Sequence, residues 1–162
     1  MHLKFRIILN VEEDVLRDII TDSNITLIEF SKIISSEFGF DSSEISTFHH
    51  SNENWEQLDE IKIFKIDEED KIMDNTTISN FFISKGDKLI FIYDFLNYWT
   101  FFIELYDLDE SIAMDKKYEC LNSIGDVPKV PPSDIFNTNN DKLIDDDLID
   151  DDLIDYDDNL ID

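Results

Sequence analysis

The alternation of apolar and polar positions is clearest between residues 86 and 105. Every side chain from Leu89 to Tyr93 is apolar or aromatic, which is typical of a strand buried on both faces. From Trp99 to Leu105 every second side chain is apolar, so this segment has one wholly apolar face that must point at a core. Together the two segments predict a β-hairpin, about residues 88–106, as the structural centre of the protein.

A helix is predicted over about residues 27–38, because the sequence marks both of its ends. Thr26 can accept a hydrogen bond from the amide three residues on, while the Glu29 side chain reaches back to the Thr26 amide, which is a capping box. Gly39 supplies a left-handed stop. The apolar positions expected to face the sheet are Leu27, Phe30, Ile34 and Phe38.

The remaining pattern completes a mainly antiparallel sheet. Further strands are expected over residues 3–11, 15–21, 45–50 and 61–66, and Thr76 or Thr77 is expected to cap a short helical turn that runs through Phe82. After Leu108 the chain is expected to be irregular, ending in a proline cluster that breaks any pairing. The sequence therefore predicts one α+β domain over residues 1–136, with the hairpin packed by one main helix.

The charge of the chain limits its partners. The formal net charge is −26, which repels nucleic-acid phosphates and anionic lipid surfaces, and the lysines are scattered among acids rather than clustered. We therefore expect no direct nucleic-acid partner and no membrane partner. The single cysteine excludes an intramolecular disulfide, and the N-terminus lacks the pattern of a secretory signal, so a cytoplasmic location is expected.

Residues 137–162 form a low-complexity acidic tail. From residue 141 onward it carries 11 Asp and one Lys, a local charge of −10, which leaves −16 for the rest of the chain. Its repeat of Asp residues and Leu-Ile pairs has a period of five, which matches neither a helix face nor a strand face, so disorder is predicted. The pairs that could anchor it on a basic partner protein are Leu143 and Ile144, Leu148 and Ile149, Leu153 and Ile154, and Leu160 and Ile161. The alternatives are a solubilising tail or a neutral slippage repeat.

Asp94 is the most informative single acid, because it ends an apolar strand between two aromatic residues. An unpaired carboxylate would be costly there, so we expect Asp94 to accept backbone amides of the hairpin turn. The alternative is a pocket formed by Asp94, Trp99 and Cys120. Trp99 is more simply a core residue, and Cys120 is expected to act as a small buried hydrophobe rather than a reactive thiol.

Two histidines offer no support for a metal site. His49 and His50 are adjacent on a predicted strand, where neighbouring side chains point to opposite faces, so both cannot bind one ion without a bulge. The tail lacks the glycine turn and distal Glu of a calcium loop. No metal or other cofactor is expected.

Several segments resemble the plasmid ORF-three-like family, whose members are also described as insertion-element passenger proteins. The segments that carry the resemblance are Gly86-Asp87, Tyr93-Asp94-Phe95, Trp99, Phe38-Gly39-Phe40-Asp41, Cys120, Gly125 and Pro131-Pro132-Ser133-Asp134. A sub-group with an acidic tail also shares the step Glu53-Asn54-Trp55-Glu56. The resemblance implies a fold and a lineage but no reaction. Where many members carry a His-x-His pair, this chain has Glu44 and Ser46.

The leading hypothesis is a cytoplasmic, non-enzymatic interaction module with an acidic surface, whose tail docks on a basic partner protein. The runner-up is a degenerate hydrolase or metal-dependent enzyme that uses Asp94, His49 and Cys120. A third hypothesis is nucleic-acid mimicry, in which spaced carboxylates imitate phosphates. The sequence leaves the oligomeric state and the identity of the partner open.

Overall fold

The computed structural model describes residues 1–132 and shows an antiparallel sheet of seven strands with one α-helix. The elements are β1 (His2–Leu9), β2 (Leu16–Asp22), α1 (Leu27–Glu37), β3 (Ser46–His50), β4 (Glu60–Lys62), a 3-10 turn (Ile78–Asn80), β5 (Lys88–Tyr93), β6 (Trp99–Asp109) and β7 (Tyr118–Ile124). The strand order across the sheet is β4-β3-β5-β6-β1-β2-β7. The prediction of a mainly antiparallel sheet with one main helix is confirmed.

The predicted hairpin forms the middle of this sheet. β5 pairs with β6 so that Leu89 lies opposite Ile103 and Phe91 lies opposite Phe101. All residues from Leu89 to Tyr93 are buried, as their unbroken apolar run predicts. In β6 the predicted core face, Trp99 to Leu105 at every second position, is buried as well.

Helix α1 covers one face of the sheet and begins at the predicted capping box. The Glu29 amide donates to the Thr26 hydroxyl at 3.2 Å, and the Thr26 amide donates to the Glu29 carboxylate at 2.9 Å. The Phe30 ring on the helix packs against Phe5 of β1, with ring centroids 4.9 Å apart. Gly39 follows with a φ of 78°, so the chain leaves the helix through the left-handed conformation that its sequence indicates.

The opposite face of the hairpin is closed by a loop rather than by a helix. Ile90 and Ile92 point away from α1 and are nevertheless buried. The Trp55 ring lies 5.1 Å from the ring of Phe102, which is directly opposite Ile90 in the sheet. The Lys88 ammonium lies 5.4 Å from the centre of the Trp55 ring, a cation–π distance. The acidic loop around Trp55 therefore covers the part of the second face that carries Phe102 and Lys88.

Three local predictions need correction. The segment after Leu108 is not irregular throughout: β6 continues to Asp109, and β7 forms the sheet edge beside β2. All residues of β7 are half-buried or exposed. Because such a strand needs no alternation of apolar residues, its sequence does not indicate a strand. The expected strand over 61–66 is limited to β4, and Thr77 precedes the 3-10 turn without a side-chain capping bond.

A buried arginine joins β7 to the rest of the fold. The Arg17 guanidinium donates from Nη1 to the carbonyl oxygens of Ile124 at 2.9 Å and Gly125 at 3.2 Å. Its Nε donates to the Glu37 carbonyl at 3.2 Å, where a positive charge is favourable at a helix C-terminus. One side chain thus ties the end of the edge strand and the end of α1 to β2.

The glycine at the end of β7 is expected to be far more sensitive to substitution than the glycine after α1. A Cβ on Gly125 would lie 2.0 Å from the Asp14 carbonyl oxygen, whereas a Cβ on Gly39 would meet nothing within 4 Å. Both residues have a positive φ, so Gly39→Ala should cost about 1 to 2 kcal/mol of unfolding free energy for backbone strain alone. Gly125→Ala should cost about 2 to 5 kcal/mol, because the backbone clash adds to that strain. Urea unfolding of the two variants checks this, and equal losses would contradict the close approach.

Acid should weaken the turn that follows β4. The Asp70 carboxylate accepts from the Lys62 ammonium at 2.6 Å and from the Ile66 and Asp67 amides at 3.0 and 2.9 Å. These bonds lower the pKa of Asp70 from 3.8 to about 2. Since the pKa is lower in the folded state, the stabilisation is present above the unfolded value and is lost as the pH falls towards 2.

Urea unfolding of the native protein and of Asp70→Asn tests this turn. The native protein should be more stable at about pH 6, and the difference should shrink at about pH 2. A difference that is independent of pH would show that the carboxylate charge has no part in holding the turn.

Candidate interaction site at one end of the sheet

Three turns of the chain meet at one end of the sheet. They are residues 10–14 between β1 and β2, residues 39–45 between α1 and β3, and residues 94–98 between β5 and β6. The Asn10 amide donates to the Thr100 carbonyl at 2.8 Å, which joins the first turn to β6. The Asp94 amide donates to the Ile45 carbonyl at 3.0 Å, which joins the second turn to the third. We call these three segments the acidic end.

The acidic end carries negative charge without a basic residue in its own segments. Its carboxylates are Glu12, Glu13, Asp14, Asp41, Glu44 and Asp94. Burial, followed by the negative charges of Asp41, Glu44 and Asp94, raises the pKa of the Tyr93 hydroxyl to about 12. Three of these carboxylates thus act on one phenol at the end of β5, so their charges are concentrated in one region of the molecule.

The turn from Asp94 to Tyr98 is held in a strained conformation. Asp94 and Tyr98 have φ angles of 62° and 58°, in the left-handed region that few residues other than glycine adopt. The Asp94 carboxylate accepts from the Leu96 amide at 3.1 Å and from the Asn97 side-chain amide at 2.5 Å. The Tyr98 amide donates to the Asp94 carbonyl at 2.6 Å. Asp94 therefore caps the turn, as its sequence position indicates.

Large apolar side chains are exposed on this turn. Leu96 is 88% exposed, and Phe95 and Tyr98 on either side of it are 41% and 46% exposed. Ile45, which is bonded to the turn through its carbonyl, is 42% exposed. The acidic end thus presents a cluster of apolar side chains among carboxylates, on a backbone fixed by hydrogen bonds.

The structure does not bring the predicted pocket residues together. Trp99 is buried, with its ring 5.0 Å from the ring of Phe40, so it belongs to the core. Cys120 lies on β7, and β1 and β2 separate that strand from β6. The position of Cys120 depends on β7, a strand that no local pattern in the sequence predicts.

The thiol of Cys120 is poorly suited to nucleophilic chemistry. Its side chain is half-buried, and its Sγ lies 3.4 Å from the Asn122 carbonyl oxygen. Burial, together with the nearby Glu37 carboxylate, raises the pKa of this thiol, which disfavours the reactive thiolate.

The residues of the enzyme hypothesis are also dispersed. His49 lies on β3 with its Nδ1 3.1 Å from the Leu58 carbonyl oxygen, while Asp94 caps the hairpin turn and Cys120 lies at the far edge of the sheet. Within residues 1–132, no group of three or more His, Cys, Asp and Glu side chains is placed to hold a metal ion. Among the same residues, no helix has both the length and the apolar character needed to cross a bilayer.

Two predictions lie outside the described residues. One is the domain boundary near residue 136, and the other is the set of tail anchors. Those anchors are Leu143, Ile144, Leu148, Ile149, Leu153, Ile154, Leu160 and Ile161.

The hydrogen bonds of Asp94 predict a graded response to substitution. Asp94→Ala removes the acceptors for Leu96 and Asn97, so no side-chain bond offsets the strain of the left-handed conformation. We expect a loss of about 2 kcal/mol in unfolding free energy. Asp94→Asn retains a side-chain acceptor and a residue type that tolerates this conformation, so it should cost less than about 1 kcal/mol. Urea unfolding measures both variants, and equal losses would show that the carboxyl oxygens do not hold the turn.

Comparisons with known proteins confirm the family that the sequence resembles. The family model described as plasmid pRiA4b ORF-3-like protein matches residues 2–138. A crystal structure of a protein of unknown function, MM3350 from Methanosarcina mazei Go1, has a similar fold with a TM-score of 0.61 and 18% sequence identity. The similarity covers 79% of this chain and 73% of that one. A search of curated proteins gave no match. Because the family model spans most of its length, this chain belongs to the plasmid pRiA4b ORF-3-like family.

Proposed function

We propose that this protein is a non-catalytic interaction module that binds a basic partner protein. The observation that supports this best is the excess of carboxylates over the basic groups available to neutralise them. The formal charge of −26 acts against compaction through self-repulsion, and a cationic partner would relieve that repulsion.

The ion pairs of the fold leave most of its carboxylates free for such a partner. The basic residues that pair with a carboxylate within 4.0 Å are Lys4, Arg6, Lys62, Lys85, Lys88 and Lys117. Their acidic partners are Glu29, Asp18, Asp70, Glu104, Asp107 and Asp109. Most other Asp and Glu residues in the described part of the chain, including those of the acidic end, make no such pair.

Two of these ion pairs, Lys88–Glu104 and Arg6–Asp18, lie in an ordered row on the face of the sheet opposite α1. In the strand register Lys88 is beside Glu104, Glu104 beside Arg6, and Arg6 beside Asp18. The Arg6–Asp18 pair is bidentate, with N–O distances of 2.8 and 2.9 Å. Because the signs alternate along this row, it does not imitate the uniform negative charge of a nucleic-acid backbone. A protein partner is therefore a better fit to this surface than the role of a nucleic-acid mimic.

The tail supplies the recurring apolar anchors of the proposed interaction. Its Leu-Ile pairs recur within an Asp-rich sequence, so one basic partner could engage several pairs at once. Linking several weak contacts in one chain raises the effective concentration of each after the first has bound. The proposal thus assigns the specificity of binding to the Leu-Ile pairs and the attraction to the carboxylates.

Two full-length variants separate these contributions. In the anchor variant, the eight Leu and Ile residues named above are replaced by Ser, which preserves every charge. In the charge variant, the Asp residues from 141 to 162 are replaced by Asn, which preserves every anchor. Each protein is used to enrich binding proteins from its host, and the enriched proteins are quantified by mass spectrometry at two salt concentrations.

Both variants should lose the same set of basic proteins by roughly tenfold or more, because either change removes part of the linked binding. Loss in the charge variant alone would show plain ionic attraction and overturn the role of the Leu-Ile pairs. An unchanged set of proteins in both variants would overturn the proposed role of the tail.

A further inference from the structure

We propose that the acidic end is a second docking surface, separate from the tail, which inserts Leu96 and its aromatic neighbours into an apolar pocket rimmed by Lys or Arg side chains on a partner protein. The proposal stands on the geometry of the hairpin turn and does not require the tail to bind.

The apolar part of the surface is prepared for binding before any partner arrives. Leu96 is 88% exposed, and Phe95 and Tyr98 flank it on the same short turn. Ordering a mobile loop on binding costs conformational entropy, but the bonds of Asp94 already fix this turn. A rigid turn that carries aromatic and aliphatic side chains is suited to act as an anchor in a partner's pocket.

A link to the neighbouring loop adds to this order. The Gln57 side-chain amide lies 3.5 Å from the Tyr98 hydroxyl, and Trp55 on the same loop packs on Phe102. The loop around Trp55 and the hairpin turn therefore support one another.

The surrounding charge decides what kind of pocket the turn fits. The segments of the acidic end contain six carboxylates and no Lys or Arg, and one basic residue, Lys129, lines the groove beside Glu12 and Glu13. A second copy of this chain would bring two such surfaces together, and an anionic membrane would present phosphates to the same carboxylates, so both are opposed by like charge. A pocket with a basic rim meets the apolar side chains and the carboxylates at once.

The path of the chain brings the end of its described part near this surface. Val130 and Pro132 line the same groove as Asn10 and Val11 of the β1–β2 turn, so the described chain ends beside the acidic end. Leu143, the first tail anchor, follows Pro132 by 11 residues, a length that spans up to about 36 to 40 Å when extended. One partner could therefore be contacted by both surfaces, although each is proposed to bind by itself.

Site-specific photocrosslinking in the natural host tests the proposal on the full chain. The photoreactive residue p-benzoylphenylalanine is placed at Leu96 in one protein and at Ile83 in a control. Ile83 is also an exposed apolar residue, at 71%, but it precedes β5 at the opposite end of the hairpin. The crosslinked peptides are then mapped by mass spectrometry.

We expect Leu96 to give a crosslink to a discrete partner peptide that lies beside Lys or Arg residues, and Ile83 not to give it. In a protein that also carries Asp41→Asn and Glu44→Gln, the yield at Leu96 should fall roughly fivefold or more, because the attraction to the basic rim is reduced. The eight-Ser anchor variant should keep the Leu96 crosslink, so failure of the tail proposal does not affect this readout.

Several results would overturn the inference. A crosslink from Leu96 to a second copy of this chain would identify a self-contact, and flotation of the protein with vesicles of phosphatidylglycerol or phosphatidylcholine would identify a lipid surface. The same crosslinked partner from Leu96 and Ile83 would show non-specific proximity. An unchanged yield in the Asp41→Asn, Glu44→Gln protein would remove the basic rim from the proposal.

Discussion

The burial of strand β5 on both of its faces, beside the buried apolar face of β6, is the constraint on which the rest of the structure depends. One face packs under α1, where the ring of Phe38 at the end of the helix lies 4.8 Å from the ring of Phe101 in β6. The other face carries the buried Ile90 and Ile92, and the Trp55 ring packs on Phe102, which lies opposite Ile90. Each fully buried large apolar side chain contributes about 1.5 to 3 kcal/mol, so no other segment contributes as much to the fold. A charged side chain at Ile92 or Phe101 would therefore unfold the protein.

This apolar centre allows the surface to carry a large excess of negative charge. Self-repulsion of a chain with a net charge of −26 must be offset by burial, and the central strands supply that burial. Where both signs occur in register, as in the row that contains Arg6 and Asp18, the charges pair across strands. At the acidic end Glu12, Glu13, Asp14, Asp41 and Glu44 are exposed together with Leu96, while the Asp94 carboxylate is bonded within the turn. Charge is thus unevenly distributed over the surface of a fold whose central core is apolar.

The hairpin turn combines features that stability alone would not require. Glycine at the positions of Asp94 and Tyr98 would adopt the same positive φ angles without the steric strain of a β-carbon. Here the side-chain and backbone bonds of Asp94 offset that strain and present Leu96 to solvent. Strained residues persist where the surrounding structure determines them, and they are frequent at functional sites. The β1–β2 turn of the acidic end lies beside the point at which the described chain ends, because Val130 and Pro132 line a groove with Asn10 and Val11.

The sequence by itself determined the elements whose signals are local. The capping box of Thr26 and Glu29, the two apolar faces of the hairpin and the capping role of Asp94 each involve residues that are close in the chain, so pattern and spacing were sufficient. Only the tertiary structure decided where β7 lies, because its half-exposed residues are stabilised by pairing with β2, about a hundred positions earlier. That pairing placed Cys120 far from Trp99 and separated the predicted pocket. It likewise took the full sheet to bring the turns at 10–14, 39–45 and 94–98 to one end, since hydrogen bonds between distant segments set their positions and no local pattern records them.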